Sequence, residues 1–290
     1  MSNRLEGKVA AITGAASGFG AAAAARFVRE GGRVVLGDIQ ADAGEAMAAH
    51  LGDAARFCLC DVTQEDQVAN LVDTAVEAFG KIDIMYNNAG IVGAAGPIHT
   101  TPAEEWKFTI DILLNGVFYG IKHAARAMIP QKSGSIINMA STAGIMGGLG
   151  PHAYAASKHG VIGITKNTAA ELAHHGIRVN AIAPAGMATA MVAGLSGDPT
   201  DIDGTVARLA AASPLKGRAG VADDVANAAL WLASGLHHRA HLNDRRRHND
   251  WSQYQCTQFR GIHTPHSGGW QTWSRNLTTA PLQDERNRPL

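Results

Sequence analysis

Residues 8–20 read KVAAITGAASGFG, and the AAAAARFVREGG that follows carries the chain to Gly32. The apolar run predicts a buried strand, the glycines at 14, 18 and 20 a tight turn, and the alanine-rich stretch a helix that stops at Gly31-Gly32. Glycines at such a junction let the backbone turn sharply and approach a pyrophosphate, whose charge then meets the positive end of the helix. The spacing is not G-x-G-x-x-G, so the reading rests on the strand–turn–helix context more than on the letters. Thr13, Gly14, Ser17, Gly18, Phe19 and Gly20 are the candidate contacts.

Working outward, the pattern repeats. RVVLGD, RFCLCDV, KIDIMYNNAG, GSIINMAS and IRVNAIAP are Val- and Ile-rich runs, apolar on both faces as buried parallel strands are, with intervening segments long enough for crossover helices. TQEDQVANLVDTAVEAFG opens at Thr63, has Asp66 three residues on, and stops at Gly80. The alternation predicts an α/β fold, a Rossmann-type doubly wound parallel sheet in a single domain.

Asp38 stands at the end of the second run, eighteen residues after Gly20. A carboxylate there accepts hydrogen bonds from both hydroxyls of an adenosine ribose and repels a 2′-phosphate. No Arg or Lys occupies Ala15, Ala16, Ser17, Ile39 or Gln40, so the cofactor expected is NAD rather than NADP.

Composition narrows the partners. With 25 basic and 25 acidic residues the chain has no net field for nucleic acid or an anionic membrane, which points to a small molecule. The N-terminus, MSNRLEGKVAAITG, lacks the layout of a secretory signal, no stretch approaches a membrane span, and a cytoplasmic location is expected. Cys58, Cys60 and Cys256 cannot form a disulfide framework; Cys58 and Cys60 read as buried thiols, and no metal site is expected.

YAASK places Tyr154 and Lys158 four residues apart, on one face of a helix. A phenol with an ordinary pKa of about 10 is a weak base at neutral pH, and a nearby ammonium favours the phenolate. One Tyr–Lys pair is weak evidence, but this pair has company.

TGAASGFG, Asp61-Val62, NNAG at Asn87–Gly90, LLNGVF around Asn115, GSIINMAS ending in Ser141, and YAASK follow one another in order, with Ser141 thirteen residues before Tyr154. From about Glu6 to Ser234 the chain resembles the short-chain dehydrogenase/reductase family, in its classical subgroup. The resemblance implies an NAD-dependent enzyme interconverting a secondary alcohol and its ketone. It gives Tyr154 the role of general acid/base, has Lys158 lower the Tyr154 pKa and hold the nicotinamide ribose, sets Ser141 against the reacting oxygen, and assigns Asn115 a proton relay through water. Asp61 and Val62 would flank the adenine, Asn88, Ala89 and Gly90 would line the cofactor cleft, and Pro184, Gly186 and Thr189 would border it, with Thr189 reaching the carboxamide.

Two departures stand out. APAGMATAM puts Ala185 where the family usually has the glycine of a Pro-Gly pair; a positive φ there would strain an alanine, and otherwise the change is silent. The second is the tail. Residues 1–234 follow the strand–helix grammar, whereas 235–290 do not: Leu236–Leu290 holds six His, eight Arg, no Lys and three of the five Trp, without periodicity. The Thr-Gly turn, seventh strand and Asp-Gly-Gly with which family members finish are missing. Codons exist for Leu236–Trp251 that, read one base later, give Ser-Ile-Thr-Gly-His-Thr-Leu-Met-Ile-Asp-Gly-Gly-Thr-Met-Thr. We therefore read the residues from about Gly235 onward as an out-of-frame translation. His237, His238 and His241 have spacings that bind metals and the Arg run could touch phosphate, but a disordered tail is the expectation for polar, aperiodic sequence.

A sheet lacking its last strand exposes an edge, so reduced stability is expected. In the family that strand and the helix before it form one of two subunit contacts; a homodimer through the helices holding Asn115 and Tyr154 is expected rather than a tetramer. The segment from Met187 to Arg218, rich in Met, Val, Ala and Leu, would cover an apolar or cyclic alcohol. The rival reading is a non-catalytic or impaired nucleotide-binding protein, which would more naturally have lost one of Asn115, Ser141, Tyr154 and Lys158.

Overall fold

The computed structural model describes residues 3–213 and 217–235. The opening stretch folds as its letters ask: strand β1, Val9–Thr13, is buried at every position and runs through the glycine turn into helix α1, Gly18–Arg29. The other runs become β2 (Arg33–Asp38), β3 (Ala55–Leu59), β4 (Ile84–Asn87), β5 (Gly134–Met139) and β6 (Ile177–Ile182). Between them lie α2 (Ala41–Leu51), α3 (Glu65–Phe79), α4 (Ala103–Ile110), a π-helical turn at Asp111–Asn115, α5 (Gly116–Gln131) and α6 (His152–Leu172). After β6 come the short α7 (Ala190–Gly194), α8 (Ile202–Ala212) and α9 (Ala222–Ala233).

The described strands form one parallel sheet in the order β3-β2-β1-β4-β5-β6, with Ile12 paired to Leu36 on one side and to Tyr86 on the other. Because successive side chains on a strand point to opposite faces, each buried strand supplies two cores. One lies under α3, α5 and α6, with Leu71, Met128 and Val161; the other lies under α1 and α9, with Phe27, Val225 and Leu230. The strand order reverses direction between β1 and β4, and the loops leaving those two strands diverge there to open a crevice.

The third helix begins later than its sequence suggests. Thr63 directs both its amide and its hydroxyl to Asp61 Oδ1, at 2.9 and 2.8 Å, so the helix starts at Glu65 after Gln64. It ends at Gly80 with φ +81°, the left-handed conformation that glycine adopts without strain. The expected seventh strand, the tail with its histidines and arginines, and Cys256 lie outside the described residues.

Candidate active site

The floor of the crevice is built from glycines because nothing larger fits. A Cβ on Gly14 would lie 2.7 Å from Ala89 Cα, and one on Gly20 would lie 2.0 Å from the Gly14 carbonyl oxygen. The β1 and β4 loops are also tied together: Thr13 Oγ1 accepts from the amides of Asn88 and Ala89 at 3.0 and 3.1 Å, and Asn88 Nδ2 donates to the Thr13 and Gly14 carbonyls, both at 3.0 Å. Thr13 and Gly20 thus brace the floor from behind, while Gly14, Ser17, Gly18 and Phe19 form its surface. The N-terminal end of α1 is left open to an anion. Its N-cap Ser17 makes no side-chain capping bond, and its first turn carries no acidic residue.

Asp38 is buried at the far edge of this cleft, its carboxylate oriented by main-chain donors. Oδ2 accepts from the Ala16 amide at 2.9 Å and Oδ1 from the Gln40 amide at 3.0 Å, with the Gln40 side chain at 3.4 Å. A carboxylate has about four acceptor positions, so a hydroxyl can still be received once the long Gln40 side-chain contact gives way. Asp61 and Val62 form the opposite wall; Gln67 Oε1 accepts from the Asp61 amide at 2.8 Å and fixes that loop. The cleft holds about 290 Å³, and its lining includes two aspartates and no Lys or Arg among the described residues. Cys60 also borders it, deeply buried; desolvation, followed by the charges of Cys58, Asp61 and Asp38, pushes its thiol up to about 12. Burial likewise raises the Cys58 thiol, so both cysteines are inert packing groups. A glycine cradle, an uncapped helix end and a carboxylate presented at a strand end together fit the pyrophosphate and ribose of a dinucleotide.

A second, smaller cavity of about 100 Å³ adjoins the cleft and shares Phe19, Asn88, Gly90, Ile91, Thr189 and Met191 with it. Ser141, Tyr154, Lys158 and Pro184 open onto this chamber, and Leu113, Met139, Met187 and Val192 give it apolar walls. Tyr154 and Lys158, one helical turn apart on α6, meet Ser141 because Ser141 leaves the end of β5 directly beneath that helix. Lys158 is almost wholly buried; its Nζ donates to the Met139 carbonyl at 2.7 Å and lies 5.5 Å from the centroid of the Tyr154 ring. Desolvation lowers its pKa from 10.5 to about 8. Ser141 Oγ accepts from the Ala143 amide at 3.1 Å and has only a long, 3.5 Å contact to the Pro184 carbonyl. Its hydroxyl is therefore able to turn and donate a hydrogen bond into the chamber.

Asn115 and Gly186 do not belong to either cavity wall. Asn115 closes the π-helical turn, its Nδ2 donating to Asp111 Oδ1 at 2.7 Å, while its neighbour Leu114 packs against Gly160 of α6. Gly186 backs onto Leu209 of α8. Thr189 caps α7, its hydroxyl accepting from the Val192 amide at 3.4 Å. Ala185 carries no positive φ, since Lys132 is the one non-glycine residue with that conformation among the described residues. Its departure from the family glycine is silent. The site also includes residues to which the sequence reading gave no role: Ala16 and Gln40 on Asp38, Gln67 on Asp61, and the Met139 carbonyl on Lys158. Three of these act through main-chain atoms, which leave no trace in residue type; Gln67, a polar position in the first turn of α3, carried the only readable signal.

The chain is 47% identical over 234 residues to momilactone A synthase of Oryza sativa subsp. japonica, covering 80% of this chain and 85% of that protein. It is 49% identical over 232 residues to the mitochondrial borneol dehydrogenase of Lavandula x intermedia, with the same coverage of 80% and 85%. Among solved structures it superposes on levodione reductase with a TM-score of 0.72 at 34% identity, covering 80% of this chain and 93% of that one. Residues 8–199, from the first strand of the sheet to beyond the chamber, match the model described as short chain dehydrogenase, and the chain belongs to that family.

Proposed function

We propose that the protein is an NAD-dependent dehydrogenase interconverting a secondary alcohol, cyclic or apolar, and its ketone. The reading rests above all on one observation: Ser141, Tyr154 and Lys158 open onto a single apolar chamber that shares a wall with the dinucleotide cleft. Bound NAD supplies the hydride acceptor, and its reduced form the donor. The chain's own groups handle the oxygen and its proton. Tyr154 takes the hydroxyl proton during oxidation and returns it during reduction. Ser141 directs a hydrogen bond from its hydroxyl to the substrate oxygen and orients it, keeping its own proton. Lys158 places positive charge beside the phenol as the proton leaves, and Asn115 supports exchange of that proton with water. Asp38 receives the adenosine ribose, Asp61 and Val62 flank the adenine, and Gly14, Ser17, Gly18 and Phe19 hold the pyrophosphate. Asn88, Ala89, Gly90, Pro184 and Thr189 enclose the nicotinamide end, with Gly186 supporting that loop from behind. Two aspartates and, among the described residues, no Lys or Arg in the cleft lining favour NAD over NADP, whose extra phosphate the aspartates repel.

Met187, Met191 and Val192 give the chamber a deformable apolar wall suited to a compact hydrophobic substrate. A momilactone synthase and a borneol dehydrogenase among the relatives support the same substrate class. We also propose a homodimer through the helices bearing Asn115 and Tyr154, a cytoplasmic location, and an out-of-frame origin for residues 235–290. Sedimentation, cell fractionation and resequencing of the coding DNA around Ser234 test these in turn.

The test of function is a panel of cyclic secondary alcohols assayed by reduced-nicotinamide absorbance with NAD and with NADP. Turnover with NAD that vanishes in Tyr154→Phe, while NAD still raises the melting temperature of that variant, is the expected result. A Tyr154→Phe protein that keeps its function would move the assignment to a nucleotide-binding regulator.

A further inference from the structure

We propose that Asn138 and Thr165 are positioning residues that pin α6 in register on β5 and so hold Tyr154 and Lys158 opposite Ser141. The inference rests on the reading of those three as the reacting set. That set is divided between two elements: Ser141 follows β5, whereas Tyr154 and Lys158 ride on α6. Whatever fixes how far α6 slides along β5 therefore fixes their separation.

Most of the contact between α6 and the sheet is apolar, through residues such as Val161 and Leu172. Apolar packing is non-directional and fits more than one sliding position. A buried hydrogen-bonded pair fits one, which is how a single polar residue in an apolar seam specifies register. Here the pair is Asn138 Nδ2 donating to Thr165 Oγ1 at 2.9 Å, with both residues buried. Thr165 lies seven residues after Lys158, two turns along the same face of α6. Consecutive β5 residues thus hold the helix at two points, Met139 through its carbonyl on Lys158 and Asn138 through its side chain on Thr165.

The orientation of the pin is determined. The Thr165 hydroxyl gives its proton to the Val161 carbonyl at 2.6 Å, so toward Asn138 it can only accept, and the nitrogen end of that amide must face it. The oxygen end accepts from Asn87 Nδ2 at 2.8 Å, across the paired position on β4. Asn87 is held in its turn against α5, where a Cβ on Gly120 would lie 1.8 Å from Asn87 Oδ1. The polar chain runs from β4 through β5 to α6 and ends on the helix backbone.

The experiment compares Thr165→Val, which keeps the shape and removes the hydroxyl, with Thr165→Ser, which keeps the hydroxyl. Two signals are read. One is the titration of the Lys158 ammonium in the cofactor-free protein, by NMR of isotope-labelled lysine assigned with Lys158→Met. The other is kcat alongside the KM for NAD. Expected are a displaced Lys158 titration and a kcat lowered about tenfold or more with little change in KM for Thr165→Val, and recovery of both signals in Thr165→Ser. A folded Thr165→Val with the parental titration and kcat, changed only in melting temperature, overturns the proposal. If Thr165→Val fails to fold, Thr165→Ala takes its place, its smaller side chain leaving room for a water to meet Asn138; the same two outcomes decide. Should no variant turn over any alcohol, the functional reading fails while the Lys158 titration still tests the pin.

Discussion

Lys158 Nζ donates to the main-chain oxygen of Met139 at 2.7 Å from a side chain that is only 3% exposed. The ammonium has lost its water and gained one carbonyl, and its pKa falls from 10.5 to about 8. Between those values the unfolded chain binds a proton that the folded chain lacks, so stability rises with pH across that window and the full cost is present below it. That cost is about 3 kcal/mol, from which the lost hydrogen bond subtracts about 1 kcal/mol when the lysine is replaced. Lys158→Met should therefore be inactive yet about 2 kcal/mol more stable than the parent at neutral pH, with the gain shrinking above pH 8. Urea denaturation at several pH values checks this; a destabilised variant would refute the assignment of burial as the dominant cause.

Asp38→Ser addresses cofactor choice. It removes the charge that disfavours a 2′-phosphate, and the ratio of kcat/KM for NADP to that for NAD should rise at least about tenfold, equivalent to 1.4 kcal/mol. Because Asp38 also receives the Ala16 and Gln40 amides, a stability loss of about 1–3 kcal/mol should accompany the switch. Steady-state kinetics with both nucleotides, plus a melting scan, read the two effects separately.

Asn88→Ala cuts both ties from the β4 turn to the Thr13 and Gly14 carbonyls. The floor of the cleft then keeps only the two main-chain bonds to the Thr13 hydroxyl, and the pyrophosphate residues Gly14, Ser17, Gly18 and Phe19 are untouched. NAD affinity should drop, and stability with it by about 1–3 kcal/mol; calorimetric titration against NAD would show an unchanged dissociation constant if the brace is irrelevant to binding.

Two glycine-to-alanine exchanges should move stability in opposite directions. At Gly20 the new methyl meets the Gly14 carbonyl at 2.0 Å, and the fold should lose more than about 3 kcal/mol. At Gly163, exposed within α6, it meets nothing within 4 Å, and the helix should gain about 0.5–1 kcal/mol. Melting temperatures of the pair give the comparison.

The strands were readable because central strands buried on both faces demand apolar runs, and each of the six runs paired in the sheet, the edge strand β3 alone among them exposing two of its five residues. The phosphate cradle was readable because steric exclusion forces glycine, and exclusion writes itself into residue identity. Helix beginnings were less legible: Thr63 looked like a cap, but Asp61 two residues earlier competed for its amide and hydroxyl. The π-helical turn before Asn115 escaped because one extra residue in a helix leaves an apolar period of this length nearly unchanged. The anchoring of Lys158 escaped for another reason, since a carbonyl oxygen is present at every position and singles out none.

Ala185 has a use beyond this protein. Its backbone asks nothing that alanine lacks, so in this fold glycine and alanine can stand there at no conformational cost. Anyone sorting genome sequences of this family into working and broken copies should give that letter no weight, and look instead at Gly20, where a single methyl group has nowhere to go.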